Sequence, residues 1–163
     1  MLKLPSGTYE STFDDKNRVI IPAALRECYK GKLVVTQGNL LCVCVFLPEK
    51  WKEYQDKVQK AFDIKEIDYQ QYKLIKHVQI YAAREDIEID QKTGRIPIAP
   101  AVRNWAHLKD KKDCTIISTD ECLEIWDTEN YYDYLKTNWD FIQDAANKIG
   151  SLPSAGESKR KDA

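Results

Sequence analysis

The sequence predicts an α+β, β-rich fold: two copies of one strand–turn–strand–helix unit, paired about a pseudo-twofold axis as a small barrel with flanking helices. Three observations carry this. Short runs rich in Val, Ile, Thr, Tyr and Phe, bounded by turn residues, dominate both halves of the chain. The stretch beginning at Arg18 returns in recognisable form at Arg95. Helical periodicity is confined to a connecting segment and to the C-terminal region.

Residues 5–50 form the first copy. Gly7 to Phe13 reads as a strand, Asp14-Asp15-Lys16-Asn17 as a turn, and Arg18 to Ile21 as a second short strand. Pro22 opens a short helix through Cys28, because proline is preorganised for a first helical position. Strands Leu33–Thr36 and Leu41–Leu47 flank Gly38-Asn39 as a hairpin. Residues 51–83 read as a helical hairpin. Its first arm, opened by Pro48, carries Trp51, Tyr54 (or Gln55), Val58 and Phe62 at helical spacing, and its second carries Ile67, Leu74, Val78 and Tyr81.

The second copy, residues 84–128, repeats the order. Ile87-Glu88-Ile89 is strand-like, Asp90 to Gly94 a turn, Arg95 to Ile98 a strand, and Pro100 to Ala106 a short helix. Cys114–Ser118 and Leu123–Trp126 read as a hairpin. Residues 129–149 form one long amphipathic helix with Tyr131, Leu135, Trp139, Ile142, Ala146 and Ile149 on its inner stripe. The Ser/Pro/Gly/Lys composition of 150–163 predicts a disordered tail, basic at Lys159-Arg160-Lys161.

Placing Arg18 on Arg95 puts Arg26 on Arg103, Leu25 on Val102 and Ala24 on Ala101. Asn17 and Gly94, both tolerant of positive φ, then precede the two arginines, which predicts one turn geometry used twice. The copies differ in one respect. Asp14 stands four residues before Arg18, whereas Asp90 stands five before Arg95, so one residue (Lys92 or Thr93) lengthens the second turn.

Bulk properties narrow the function. There is no P-loop, GxGxxG, HExxH or nucleophile-elbow motif, so the chain does not read as an enzyme and implies no cofactor or small-molecule substrate. The five cysteines show no CxxC spacing and the two histidines no ligand pattern, so the thiols read as buried apolar groups and no metal is expected. With no apolar run of about 20 residues and no signal-peptide h-region at the N-terminus, the expected location is cytoplasmic and not membrane-bound. Net charge is only −1, but it is segregated. Residues 14–32 hold five Lys/Arg against three acids, 90–112 hold six against two, and 120–144 hold eight acids against Lys136. Such segregation permits a local phosphate-facing patch on an acidic molecule.

The run Phe13-Asp14-Asp15-Lys16-Asn17-Arg18-Val19-Ile20-Ile21-Pro22, with Arg26 following, resembles the first signature of the MraZ family, and the second copy through Ile125-Trp126-Asp127 resembles its second. The resemblance covers about residues 5–145. It implies a double AbrB-like swapped-hairpin fold, a homo-oligomeric ring, and binding to repeated boxes of double-stranded DNA upstream of division and cell-wall genes, on the nucleoid. In the residues' own terms, Arg18 and Arg95 at turn tips can reach phosphate oxygens or grip guanine in the major groove. Lys16 and Lys92 would position the backbone, while Asp14 and Asp90 would orient the arginines or cap the turns. Two alternatives stay open: Arg18 and Arg95 as structural ion pairs with nearby acids, and the chain as an oligomeric protein-binding scaffold or antitoxin-like partner module using its acidic C-terminal helix. Arg26 and Arg103, on the short helices, read as partners of carboxylates or of DNA. Trp51, Trp105, Trp126 and Trp139 read as core or interface.

Overall fold

The computed structural model describes residues 3–109 and 112–155. The Lys159–Lys161 run and most of the expected tail lie outside the described residues. The chain divides into two compact units, 1–128 and 129–163.

In the first unit, strand β1 (Gly7–Thr12) is followed by β2 (Arg18–Ile20), helix α1 (Ala23–Arg26), β3 (Leu33–Gln37) and β4 (Val43–Phe46). After helices α2 (Pro48–Asp63) and α3 (Tyr69–Ile75), the order recurs as β5 (Arg84–Ile87), β6 (Arg95–Pro97), α4 (Pro100–Trp105), β7 (Asp113–Ser118) and β8 (Leu123–Asp127). Six strands form one antiparallel sheet in the order β1-β7-β8-β4-β3-β5, and β2 and β6 form a separate two-stranded ribbon. Exchanging β1–β4 for β5–β8 maps this order onto itself. The first strand of each copy therefore pairs with the other copy's third strand, as Gly7 opposite Ser118 and Leu33 opposite Ile87. The large sheet is open, with β1 and β5 at its edges, so the expected barrel is not closed by hydrogen bonds among the described residues.

The pairing follows from burial. β2 and β6 are three residues each, too short to hold a hairpin alone, yet Val19 opposite Ile96 is fully buried on both sides. Ile21, Leu25, Ile98 and Val102 extend that layer onto the sheet, where Leu33, Ile116, Leu123 and Ile125 meet it. Each copy supplies half of the residues of one core, so each covers the other's apolar face.

Two elements depart from the expected boundaries. β5 lies at Arg84–Ile87 rather than at residues 87–89, because it pairs with β3 through a register shift between Leu33 and Val35 that uses Arg84 and Ile87 as partners. The second arm of the helical hairpin begins with an Asp68/Gln71 capping box and then widens into a π-helical turn at Lys76–Ile80. Buried Gln79 explains the wider turn. Its amide donates to the Gln37 carbonyl, and its own carbonyl accepts from the Thr36 hydroxyl, so packing on β3 outweighs regular α-helical bonding. Phe62 stacks on Tyr72 at 4.4 Å between centroids and holds the two arms together.

The four described β-region thiols, Cys42, Cys44, Cys114 and Cys122, are buried and free. Burial pushes Cys114 up to about 12, and a hydrogen bond donated to Cys44, then burial, pushes Cys122 well above the thiol range. Cys114 and Cys122 pack as protonated apolar groups. Among the described residues no His/Cys/Asp/Glu cluster could hold a metal ion, and no helix is long and apolar enough to cross a membrane.

The second unit holds α5 (Thr128–Thr137) and α6 (Trp139–Gly150) in place of the single helix expected over 129–149. The break falls at Asn138, whose φ of −99° and ψ of 19° leave the α region. Its side chain donates to the Tyr134 carbonyl at 2.8 Å, and its backbone N–H is shared between the Tyr134 and Leu135 carbonyls at 3.3 and 3.2 Å, the tightened geometry of a helix end. The expected inner stripe is also not buried: Trp139 is 57% and Ile149 69% exposed.

Candidate nucleic-acid interface

Both arginine turns are built by an aspartate and a positive-φ residue. In the first, Asp14 Oδ1 accepts the backbone N–H groups of Lys16 and Arg18, each at 2.9 Å. The Asp14 N–H returns to the Arg18 carbonyl at 2.8 Å, and Asn17 takes φ 60° to let the chain reverse. In the second, Asp90 Oδ1 accepts Lys92 N–H at 2.9 Å and Thr93 N–H at 3.2 Å. The Asp90 N–H bonds the Arg95 carbonyl at 2.9 Å, and Gly94 takes φ 73°. Asn17 and Gly94 thus adopt the shared geometry read from their identities.

The extra residue changes what the second aspartate reaches. Asp14 reaches far enough along its turn to bond both the backbone and the side chain of Arg18, whose Nε lies 3.0 Å from Oδ2. Asp90 spends Oδ1 on Lys92 and Thr93, and Arg95 N–H goes to the Thr93 hydroxyl at 3.4 Å instead. Arg95 turns to the other copy, its Nε 3.4 Å from Asp14 Oδ2, within ion-pair range but without hydrogen-bond geometry. The second acid therefore caps its turn and the first serves two arginines.

The register explains the convergence. In the β2–β6 ribbon Arg18 lies opposite Pro97 and Arg95 opposite Ile20, so the two guanidinium groups leave from the two ends of a three-residue overlap. Arg18, Arg95, Asp90, Glu88, Ile89 and Pro97 line one open depression of about 410 Å³. Both arginine side chains remain about one-third exposed, at 36% and 32%. Lys16 and Lys92 are exposed on the turns, their backbones fixed by the two aspartates. Lys16 lines a neighbouring depression with Asn17 and Arg84, a cation that the sequence gave no reason to single out.

Electrostatics reinforce this arrangement. Burial opposes ionisation of Asp14, but the Arg18 and Lys16 N–H groups and the Arg18 guanidinium outweigh it and hold the carboxyl below its ordinary 3.8. The N–H groups of Lys92 and Thr93, then the charges of Lys92 and Arg18, lower Asp90 too. Both acids are ionised at neutral pH.

Arg26 and Arg103 each make a contact in the opposite copy. Arg26 donates from Nε to the Ile21 carbonyl at 2.7 Å, and its guanidinium fills the space where a β-carbon on Gly94 would sit. Arg103 donates to the Asn17 side-chain oxygen and lies over the Phe13 ring at 5.9 Å. Their equivalence was visible in the repeat; their reach into the opposite copy was not.

The sequence model of the family described as "MraZ protein, putative antitoxin-like" matches residues 4–71 and 80–152. The chain belongs to the MraZ family. A Treponema denticola protein named transcriptional regulator MraZ is 33% identical over 148 residues, spanning 90% of this chain and 98% of its own length. Proteins of the same name from Leifsonia xyli subsp. xyli and Clavibacter michiganensis subsp. michiganensis are 30% and 28% identical over 79% and 88% of this chain, and 85% and 94% of their own lengths. These MraZ relatives carry the name of a regulator, not of an enzyme. The two matched segments each contain one arginine turn, so family membership extends to both copies of the site.

Proposed function

We propose that this chain is a sequence-specific transcriptional regulator that binds double-stranded DNA through Arg18 and Arg95. The observation that carries the reading is their convergence: two equivalent turns, joined through one β2–β6 ribbon, present two part-exposed guanidinium groups beside a single carboxylate. A two-stranded ribbon has the width to enter a major groove, and a guanidinium released from Asp14 can take guanine O6 and N7 with its planar fork. Lys16 and Lys92 contact phosphates on either side. In this reading residues 5–50 and 84–128 are two AbrB-like swapped-hairpin repeats about a pseudo-twofold axis, joined by the helical hairpin 51–83. Residues 129–149 and the tail 150–163 follow them.

Beside each arginine lies an acid, so one subunit presents little net positive charge and binds weakly. Assembly into a ring supplies many copies to repeated promoter boxes, upstream of division and cell-wall genes, at high effective concentration. The protein then acts in the cytoplasm, on the nucleoid. The exposed apolar residues of α6 support self-association.

Mobility shift of a repeated-box promoter fragment, at several salt concentrations, tests the reading. The wild type binds the array more tightly than one box and loses affinity with salt. The Arg18→Ala, Arg95→Ala double variant keeps its assembly and loses binding. Unchanged binding by that variant overturns the proposal and favours the protein-binding module, which the acidic 120–144 segment would serve.

A further inference from the structure

Each short helix supports the arginine turn of the opposite copy. Arg103, on α4 of the second copy, donates to the Asn17 side chain in the first turn, and Ile98 N–H donates to the Asn17 carbonyl at 2.8 Å. Arg26, on α1 of the first copy, lies against Gly94 in the second turn, and Ile21 N–H donates to the Gly94 carbonyl at 2.7 Å. Arg26 also holds the Ile21 peptide from its other side, through the carbonyl. These six residues form three pairs, Asn17 with Gly94, Ile21 with Ile98 and Arg26 with Arg103, under the alignment that places Arg18 on Arg95. The arrangement is thus one device used twice and crossed.

The positions supported are those at positive φ, where an L-residue such as Asn17 costs free energy unless its surroundings hold it. Asn17 has a side-chain oxygen and receives a hydrogen bond. Gly94 has no side chain, and the guanidinium takes the vacated space. A β-carbon at 94 would overlap Arg26 Nη2, Cζ and Nε together. The two solutions differ chemically but act on the same position, the residue just before each arginine, whose carbonyl an isoleucine N–H holds in both turns.

We infer that Arg26 and Arg103 are positioning residues for DNA recognition, and that their action is crossed: Arg103 orders the turn presenting Arg18, and Arg26 orders the turn presenting Arg95. This inference rests on the proposed DNA-binding reading for its consequence, but not for its geometry. Neither residue needs to touch DNA. A loose turn presents its arginine over many orientations, and ordering it on binding costs affinity.

The test is a set of double-mutant cycles, read by fluorescence anisotropy on the repeated-box fragment at low salt. Arg103→Ala lowers affinity roughly ten- to a hundredfold, the range of a lost hydrogen bond to a charged group. That loss persists in an Arg95→Ala background and vanishes in an Arg18→Ala background. Arg26→Ala gives the reverse pattern. Arg103→Lys, which keeps one donor, retains most of the affinity. Equal losses in both backgrounds overturn the inference, since a direct phosphate contact or general destabilisation is indifferent to which arginine remains. Native-state hydrogen exchange, which needs no DNA, separates this from failure of the DNA reading. Arg103→Ala speeds exchange at the Lys16 and Arg18 amides, and Arg26→Ala at Lys92 to Arg95. Uncrossed exchange overturns the inference even where DNA binding holds, and crossed exchange without wild-type DNA binding would sink the DNA reading alone.

Discussion

Arg95 Nε lies 3.4 Å from Asp14 Oδ2, so the carboxylate that caps the first turn also faces the arginine of the second. Arg18 Nε already occupies the same oxygen at 3.0 Å. One anion between two guanidinium groups is an internal substitute for phosphate: it keeps both arginines oriented and weakens their attraction for any other anion.

Asp14→Asn separates these roles, because an amide oxygen still accepts the Lys16 and Arg18 N–H groups. The expected outcome is tighter binding to scrambled DNA with a steeper salt slope, and a smaller ratio of specific to nonspecific affinity. Anisotropy titrations on box and scrambled duplexes at matched salt measure it. An unchanged ratio would show that Asp14 serves only the turn.

Acid sensitivity follows from the same turns. The folded-state values of Asp14 and Asp90 are lowered from 3.8, so both stabilise the fold fully above that value and lose the contribution as pH falls through their folded values. The wild type should lose melting temperature steeply below about pH 4, and Asp14→Asn, Asp90→Asn should lose less over that interval while starting lower at about pH 6. Parallel melting curves across the interval would count against both assignments.

The ribbon beneath the arginines depends on Val19 and Ile96, each fully buried and directly paired. Ile96→Ala should cost about 2–5 kcal/mol by transfer and cavity terms. Ile64→Ala, at a position 57% exposed, should stay within about 0.5 kcal/mol. Urea midpoints at constant m-value decide between them.

Much of this was legible because local chemistry and the repeat agree. Asn17 and Gly94 marked two turns by their φ tolerance, Pro22 and Pro100 opened two helices, and the hairpin read at Cys114–Ser118 and Leu123–Trp126 corresponds to β7 and β8. What escaped depends on contacts between distant residues. Nothing local to Arg95 says that its carboxylate lies 81 positions upstream, at Asp14. The π-helical turn at Lys76–Ile80 exists because Gln79 bonds to β3, over 40 residues away. Periodicity in 131–149 told neither that the apolar residues are left exposed nor that Asn138 interrupts the helix carrying them.

After that interruption α6 carries an apolar row of its own. Trp139, Ile142, Ala146 and Ile149 recur at spacings of three and four, so they share one helical face. Trp139 and Ile149 are more than half exposed on it, and Phe141, on an adjacent face, is 77% exposed. Exposed aromatic and aliphatic groups in such a row are costly to leave in water and mark an association surface. If the surface joins copies into a ring, Ile142→Glu, Ile149→Glu should lower the mass measured by light scattering while the melting transition of the β-rich unit stays in place. The same variant should bind a repeated array no more tightly than a single box, because the gain from linked copies disappears with assembly. An unchanged mass would remove α6 from the assembly. A reduced mass with the array preference intact would instead show that avidity arises elsewhere in the chain.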